Sequence, residues 1–229
     1  MKPYPAGDHN STSSQHPMQL ATLWLKDCLE NHPKCNDEHS PSELPTRLIH
    51  VGDEETHPRL CSGSSLTPRT PYATLSYCWG TAPALKLTIS TLDHFLHDID
   101  PSTLSRTHRD AVEVVRKLGI SYIWIDSLCI VQNSPADWRK ESGRMANVYR
   151  HATINIAATF ATDGDGGCFA QRDGSLIQPL ILETKWEGTQ NKLWEWSLDE
   201  RGYRTHLDSR AWVIQEAMLS TRKLSFGRR

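Results

Sequence analysis

No stretch of this sequence stays apolar for more than a few residues, so none can cross a bilayer as a helix, which takes about 20. Charge of one sign is not in excess either: 25 Lys and Arg face 27 Asp and Glu, a net charge of −2. That removes the electrostatic footprint of a nucleic-acid or anionic-membrane binder. The stretch from Met1 to Pro17 is polar and lacks the apolar centre of a secretory signal. A cytoplasmic protein is the expectation. Its six cysteines are then expected as free thiols, since no secretion signal supports a disulfide framework. Neither a P-loop nor a Gly-x-Gly-x-x-Gly run occurs, which argues against kinase-like and Rossmann chemistry.

What is present is a chain of 229 residues with eight Trp against four Phe. A domain of this size can bury about 70% of its unfolded surface and needs no staples. Residues 1–18 are expected as a disordered tail, 19–70 as an N-terminal extension and 71–229 as the main domain. Leu20 to Leu29 carries a short amphipathic stripe that Pro33 ends. Arg47 to Val51 alternates as a strand, and Leu60 to Arg69 suggests a linker or hairpin arm. Tyr72 to Cys78 is β-rich and stops at Trp79-Gly80. Thr107 to Leu118 fits a helix, with Thr107 and Asp110 as a capping box and Gly119 closing it. Tyr122 to Ile130 is almost wholly apolar, as a strand covered on both faces must be. Ser134-Pro135 opens a helix whose stripe is Trp138, Glu141, Met145, Val148 and Tyr149. Thr153 to Thr159 is another strand. Ile177 to Leu182 and Leu193 to Leu198 are weaker strand candidates. Asp208 or Ser209 caps a helix through Glu216, and Lys223 to Phe226 is the last strand.

This alternation implies an α/β fold, a mainly parallel sheet flanked by helices. In such sheets ligands bind beyond the carboxyl ends of the strands. Ser76 to Gly80 and Asp126 to Asn133 would border that crevice. Glu216 shares a helix face with Trp212 and Leu219, where a carboxylate is costly to bury unless paired. Burial there would raise its pKa and make it useful to chemistry. Glu141, between Trp138 and Met145, is its rival. Asp126 follows an apolar strand, where its alternative role is bonding nearby backbone N–H groups.

Cys28, His32, Cys35 and His39 offer four zinc ligands within a short span. A helix end and an uncommon finger spacing weigh against them, so packing and surface roles are the first expectation and metal analysis is the test. Asp163-Gly-Asp-Gly has the start of a calcium loop, but Gly174 stands where the bidentate Glu belongs. Cys78 and Cys129 have no His partner visible in the sequence, so a thiol nucleophile is not expected.

Three blocks resemble one family. Tyr72-Ala-Thr-Leu-Ser-Tyr-Cys-Trp-Gly80, Tyr122-Ile-Trp-Ile-Asp-Ser-Leu-Cys-Ile-Val-Gln132 and Arg210-Ala-Trp-Val-Ile-Gln-Glu216 are similar to the signature blocks of the fungal heterokaryon incompatibility (HET) domain. Trp24-Leu-Lys-Asp-Cys28 and Leu44-Pro-Thr-Arg47 resemble its common lead-in. The resemblance covers about Tyr72 to Phe226. It implies cell death in non-self recognition, triggered from the cytoplasm, with distant similarity to Toll/interleukin-1 receptor (TIR) domains. Many TIR domains hydrolyse NAD+ with a Glu in a Trp-x-x-x-Glu stretch, the spacing of Trp212 and Glu216.

On that reading Glu216 and Asp126 are catalytic candidates. Ser76, Tyr77, Trp79, Gly80, Arg210 and Trp212 would hold the dinucleotide, with Trp79 stacking on a ring and Arg210 on the pyrophosphate. NAD+ is then a substrate and the chain a possible NAD+ nucleosidase. Partners are expected by self-association and through an activating protein not identified by the sequence. Two other readings stay open: a non-enzymatic interaction module with a structural Glu216, and a truncated inactive copy whose effector region would lie beyond Arg229.

Overall fold

The computed structural model describes residues 11–36, 44–53, 55–81, 84–171, 180–186, 189–195, 207, 216 and 218–227. Its centre is a mixed six-stranded sheet. The strands are β1 (Arg47–His50), β2 (Arg59–Ser62), β3 (Ala73–Ser76), β4 (Tyr122–Trp124), β5 (Ile154–Ala158) and β8 (Lys223–Phe226), in the order β2-β1-β4-β3-β5-β8. β1 runs antiparallel to both β2 and β4, whereas β4, β3, β5 and β8 are parallel neighbours. β6 (Leu180–Trp186) and β7 (Thr189–Glu195) form a separate antiparallel pair.

The parallel half follows from residue type. Every residue of β3 and β5 is buried, as helices on both faces of a parallel sheet require. Leu75, Ile123, Trp124 and Ile156 are its centre, each at most 1% exposed. The polar members of these strands satisfy one another: Thr74 and Ser76 bond the Asn155 amide across the β3–β5 pair.

Helix α1 (Gln15–Asn31) begins before the expected stripe at Leu20. Met18, one turn ahead of Ala21 and two ahead of Leu25, is buried with them in the main core and anchors the extra turn. Ahead of it, Thr12 exchanges hydrogen bonds with Cys168 and Ala170. The ordered chain thus reaches into the stretch expected as a disordered tail. The expected extension also shares the sheet, because β1 lies between β2 and β4.

After β3 come α2 (Leu92–His97) and α3 (Arg106–Lys117). The cap of α3 is Ser105, whose hydroxyl accepts the His108 N–H at 3.3 Å. The expected capping pair does other work. Thr107 accepts from Gly167 N–H, and Asp110 accepts from the N–H groups of Cys168 and Phe169. The apolar run from Tyr122 to Ile130 is not one strand. It ends at Trp124 and becomes α4 (Asp126–Cys129), because a buried helical turn is as apolar as a buried strand. The stripe from Trp138 to Tyr149 likewise divides, at Gly143, into α5 (Pro135–Ser142) and α6 (Met145–His151). Ser134 caps α5 by accepting the Asp137 N–H. Arg47 of β1 reaches the Cys129 carbonyl and the Asp137 carboxylate, tying the sheet to α4 and α5.

Candidate active site

The parallel strands deliver two of the candidate residues to one end of the sheet. β3 ends at Ser76, and Trp79 follows it within a few residues. β4 ends at Trp124, and Asp126 opens α4. The indole N–H of Trp79 donates to Asp126 Oδ2 at 2.9 Å, and the other oxygen, Oδ1, accepts the Ser127 N–H at 2.7 Å. Both carboxylate oxygens are therefore fixed. Gln132 holds the turn below them, donating to the carbonyls of Asp126 and Ile130 at 3.0 Å each. Lys86 Nζ lies 5.0 Å from the centre of the Trp79 ring, so a cation covers one face of the indole. Gly80 has φ +69, and a Cβ there would come within 2.4 Å of the Asp163 Cβ. The Asp163 loop closes against the turn only because this position is glycine.

Glu216 arrives from the far end of the chain. It is helical, 6% exposed, and lines a cleft of about 210 Å³ together with Trp79, Asp126, Ile130, Gln132, Trp138, Ser142 and Met145. Two carboxylates and an indole from three sequence-distant blocks thus share one small cleft at the carboxyl edge of β3 and β4. Ile130, Trp138 and Met145 supply apolar walls of the cleft, and Gln132 and Ser142 supply polar ones.

The other candidates divide. Ser76 is turned into the β3–β5 network with Asn155. Tyr77 is buried, donates to Ser127 Oγ at 2.9 Å and stands edge-on to the His108 ring. Neither lines the cleft. Arg210 and Trp212 lie outside the described residues. Glu141, the rival carboxylate, is only 2% exposed and accepts from the Thr46 hydroxyl at 2.7 Å, with Lys140 Nζ 4.0 Å away. It faces the lead-in to β1. Cys129 is a poor nucleophile, since burial pushes its thiol up to about 12. Gln132 falls within Asp126 to Asn133, the stretch expected to border the crevice, whereas Ser142 was not singled out and gave no signal in the sequence.

A second cluster lies at the end of α1. Cys28, His32 and Cys35 bring their ligand atoms within 4.8 Å of one another. His39 lies outside the described residues.

Residues 72–216 match the family model described as Heterokaryon incompatibility protein (HET). No curated protein and no solved structure matches the chain.

Proposed function

This chain belongs to the heterokaryon incompatibility family, and from that premise we propose that it acts in fungal non-self recognition by cleaving NAD+ in the Trp79–Asp126–Glu216 cleft. The observation that carries the reading is that Glu216, from the last signature block, shares one cleft with Trp79 and Asp126, from the first and second. In NAD+ hydrolysis the bond between ribose C1′ and the nicotinamide nitrogen breaks. Nicotinamide leaves with the bonding electron pair, and C1′ becomes positively charged. Water then attacks C1′ and loses a proton, giving ADP-ribose. A carboxylate held beside C1′ stabilises that charge. Glu216 takes this role from the wall of the cleft that it shares with Trp79 and Asp126. Asp126, pinned by Trp79 and the Ser127 N–H, binds ribose hydroxyls or orients the water.

The cleft of about 210 Å³ is smaller than the ~300–1,000 Å³ typical of a site for a whole drug-sized ligand. It therefore suits the nicotinamide ribose, with the rest of the dinucleotide outside. The likeness to TIR domains belongs to this reading, as does a cytoplasmic site of action. Cell death would follow from loss of the NAD+ pool.

The test is nicotinamide release from NAD+ by the concentrated, assembled protein. Glu216→Gln should lower the rate at least ~100-fold, the scale seen when one stabilising group is removed from an active site. Trp79→Phe, which removes the N–H to Asp126, should lower it by a smaller factor. An unchanged rate in a folded Glu216→Gln protein removes Glu216 from the chemistry.

A non-enzymatic reading rests on a different observation. α1 exposes Leu23 at 62% and Trp24 at 56%, an apolar face suited to self-association. On that reading Glu216→Gln lowers the melting temperature and alters no turnover.

A further inference from the structure

We propose that Cys28, His32 and Cys35 form a zinc site that fastens the end of α1 to the amino-terminal edge of the sheet. The three residues meet because of how the helix ends. Cys28 lies in the last turn of α1, and His32, four residues on, is its C-cap residue. Pro33 cannot continue the helix, and the 3₁₀ turn Pro33–Cys35 swings Cys35 back toward them. Backbone bonds fix the reversal: His32 N–H to the Cys28 carbonyl at 3.2 Å, and Cys35 N–H to the His32 carbonyl at 2.9 Å. The Asn36 amide donates to the carbonyls of Cys28 at 3.3 Å and Leu29 at 2.7 Å. The scaffold is therefore held by contacts independent of any ion.

The donor set fits zinc. Two sulfurs and an imidazole suit a borderline-soft, redox-inert ion. A tetrahedral ion with bonds of about 2.3 Å to sulfur and 2.0–2.1 Å to nitrogen sets its ligand atoms roughly 3.4–3.8 Å apart. These three lie within 4.8 Å, so closing on an ion takes about 1 Å of side-chain movement at an exposed helix end. The negative end of the α1 dipole also favours a cation there. Both cysteines are free thiols. Binding displaces their protons.

Arg222 supplies the connection to the sheet. Its Nε donates to Cys28 Sγ at 3.2 Å, and its Nη2 donates to the Cys35 carbonyl at 2.8 Å and to Asn36 Oδ1. Nη1 donates to the Thr153 carbonyl, just before β5, at 3.3 Å. An N–H donor to a ligating sulfur is the usual outer-shell support of a metal site. Arg222 itself lies between Glu216 and β8, so the ion would brace the chain on its way out of the candidate active site. A disulfide would use only two of the three residues and leave His32 without a part.

The experiment uses the tag-free full chain, purified under reducing conditions without chelator, and measures metal by mass spectrometry. About one zinc per chain is expected, lost in Cys28→Ser and Cys35→Ser and kept in Cys61→Ser. Replacement with Co2+ should give a sulfur-to-cobalt charge-transfer band and tetrahedral visible bands in the wild-type chain. Because that spectrum needs no variant, it tests the site even if the cysteine variants fail to fold. Three results overturn the assignment: no stoichiometric metal after reconstitution with Zn2+, full occupancy retained in the folded Cys28→Ser/Cys35→Ser double variant, or a Cys28–Cys35 disulfide in metal-free protein.

Discussion

Glu216 and Glu141 look alike in the sequence, each a carboxylate on an apolar helical stripe, and both are buried. What separates them is their place in the fold. Glu141 accepts from Thr46, a residue 95 positions away, and Arg144 donates to the same hydroxyl. No periodicity within the Glu141 helix could reveal that bond. Glu216 lines the cleft instead. The crevice rule for parallel sheets reached Trp79 and Asp126 because it depends only on where strands end. It also swept in Ser76 and Tyr77, whose side chains turn inward, since a strand end does not fix which way each residue faces. The difference between the two carboxylates is measurable. Glu141→Ala should cost roughly 2 kcal/mol by stranding the Thr46 hydroxyl and leaving a void. In a chain of this size that lowers the melting temperature by roughly 4–8 °C. Nicotinamide release by the variant, assayed well below its melting point, should stay near wild type. Lost turnover in the folded variant would return Glu141 to the chemistry.

At the scale of elements, legibility followed punctuation. The limits of β8 and the Ser134 cap of α5 were readable because turn and cap residues mark them. The change from β4 to α4 was not, because the residues are apolar on either side of it. Likewise α3 was expected, but its cap was misassigned: Ser105 caps it, which frees Thr107 and Asp110 to hold the loop at Gly167 to Phe169. The same helix buries a titratable group against Tyr77 and α4. His108 is fully buried, and burial pushes its pKa down to about 4 from an ordinary 6.5. Its Nε2 lies 3.5 Å from Ser127 Oγ, and its Nδ1 has no hydrogen-bond partner among the described residues. The folded state therefore holds it neutral while the unfolded chain protonates near 6.5. Stability is unaffected above that value and falls as pH drops toward about 4. Between about pH 7.5 and pH 5 the loss from this one group is roughly 2 kcal/mol. Denaturant melts across that range should show it in the wild type and not in His108→Phe, which keeps an aromatic ring beside Tyr77. Equal pH slopes in the two proteins would refute the assignment.

At the scale of the molecule, the family boundary and the folding boundary do not coincide. The matched segment, 72–216, contains β3, β4 and β5 but neither β1 and β2 before it nor β8 after it. Yet β1 pairs along β4 and buries Leu48 and Ile49, at 0% and 1% exposure. β8 pairs along all of Asn155–Ala158 and buries Phe226. α1 adds Met18, Ala21 and Leu25 to the same core. Cutting at the family limits would turn β4 and β5 into bare edges, each with unpaired N–H and C=O groups and uncovered apolar side chains. The lost burial far exceeds the stability margin of ~5–15 kcal/mol that a typical domain holds. Residues 72–216 expressed alone should therefore give an aggregating or non-cooperatively melting product, whereas the full chain melts in a single transition by circular dichroism. A fragment that melts cooperatively within a few degrees of the full chain would mean the lead-in and the last strand only decorate the core. If the fragment fails as expected, the signature blocks of the family mark the cleft, and the residues outside them are what make the cleft a folded one.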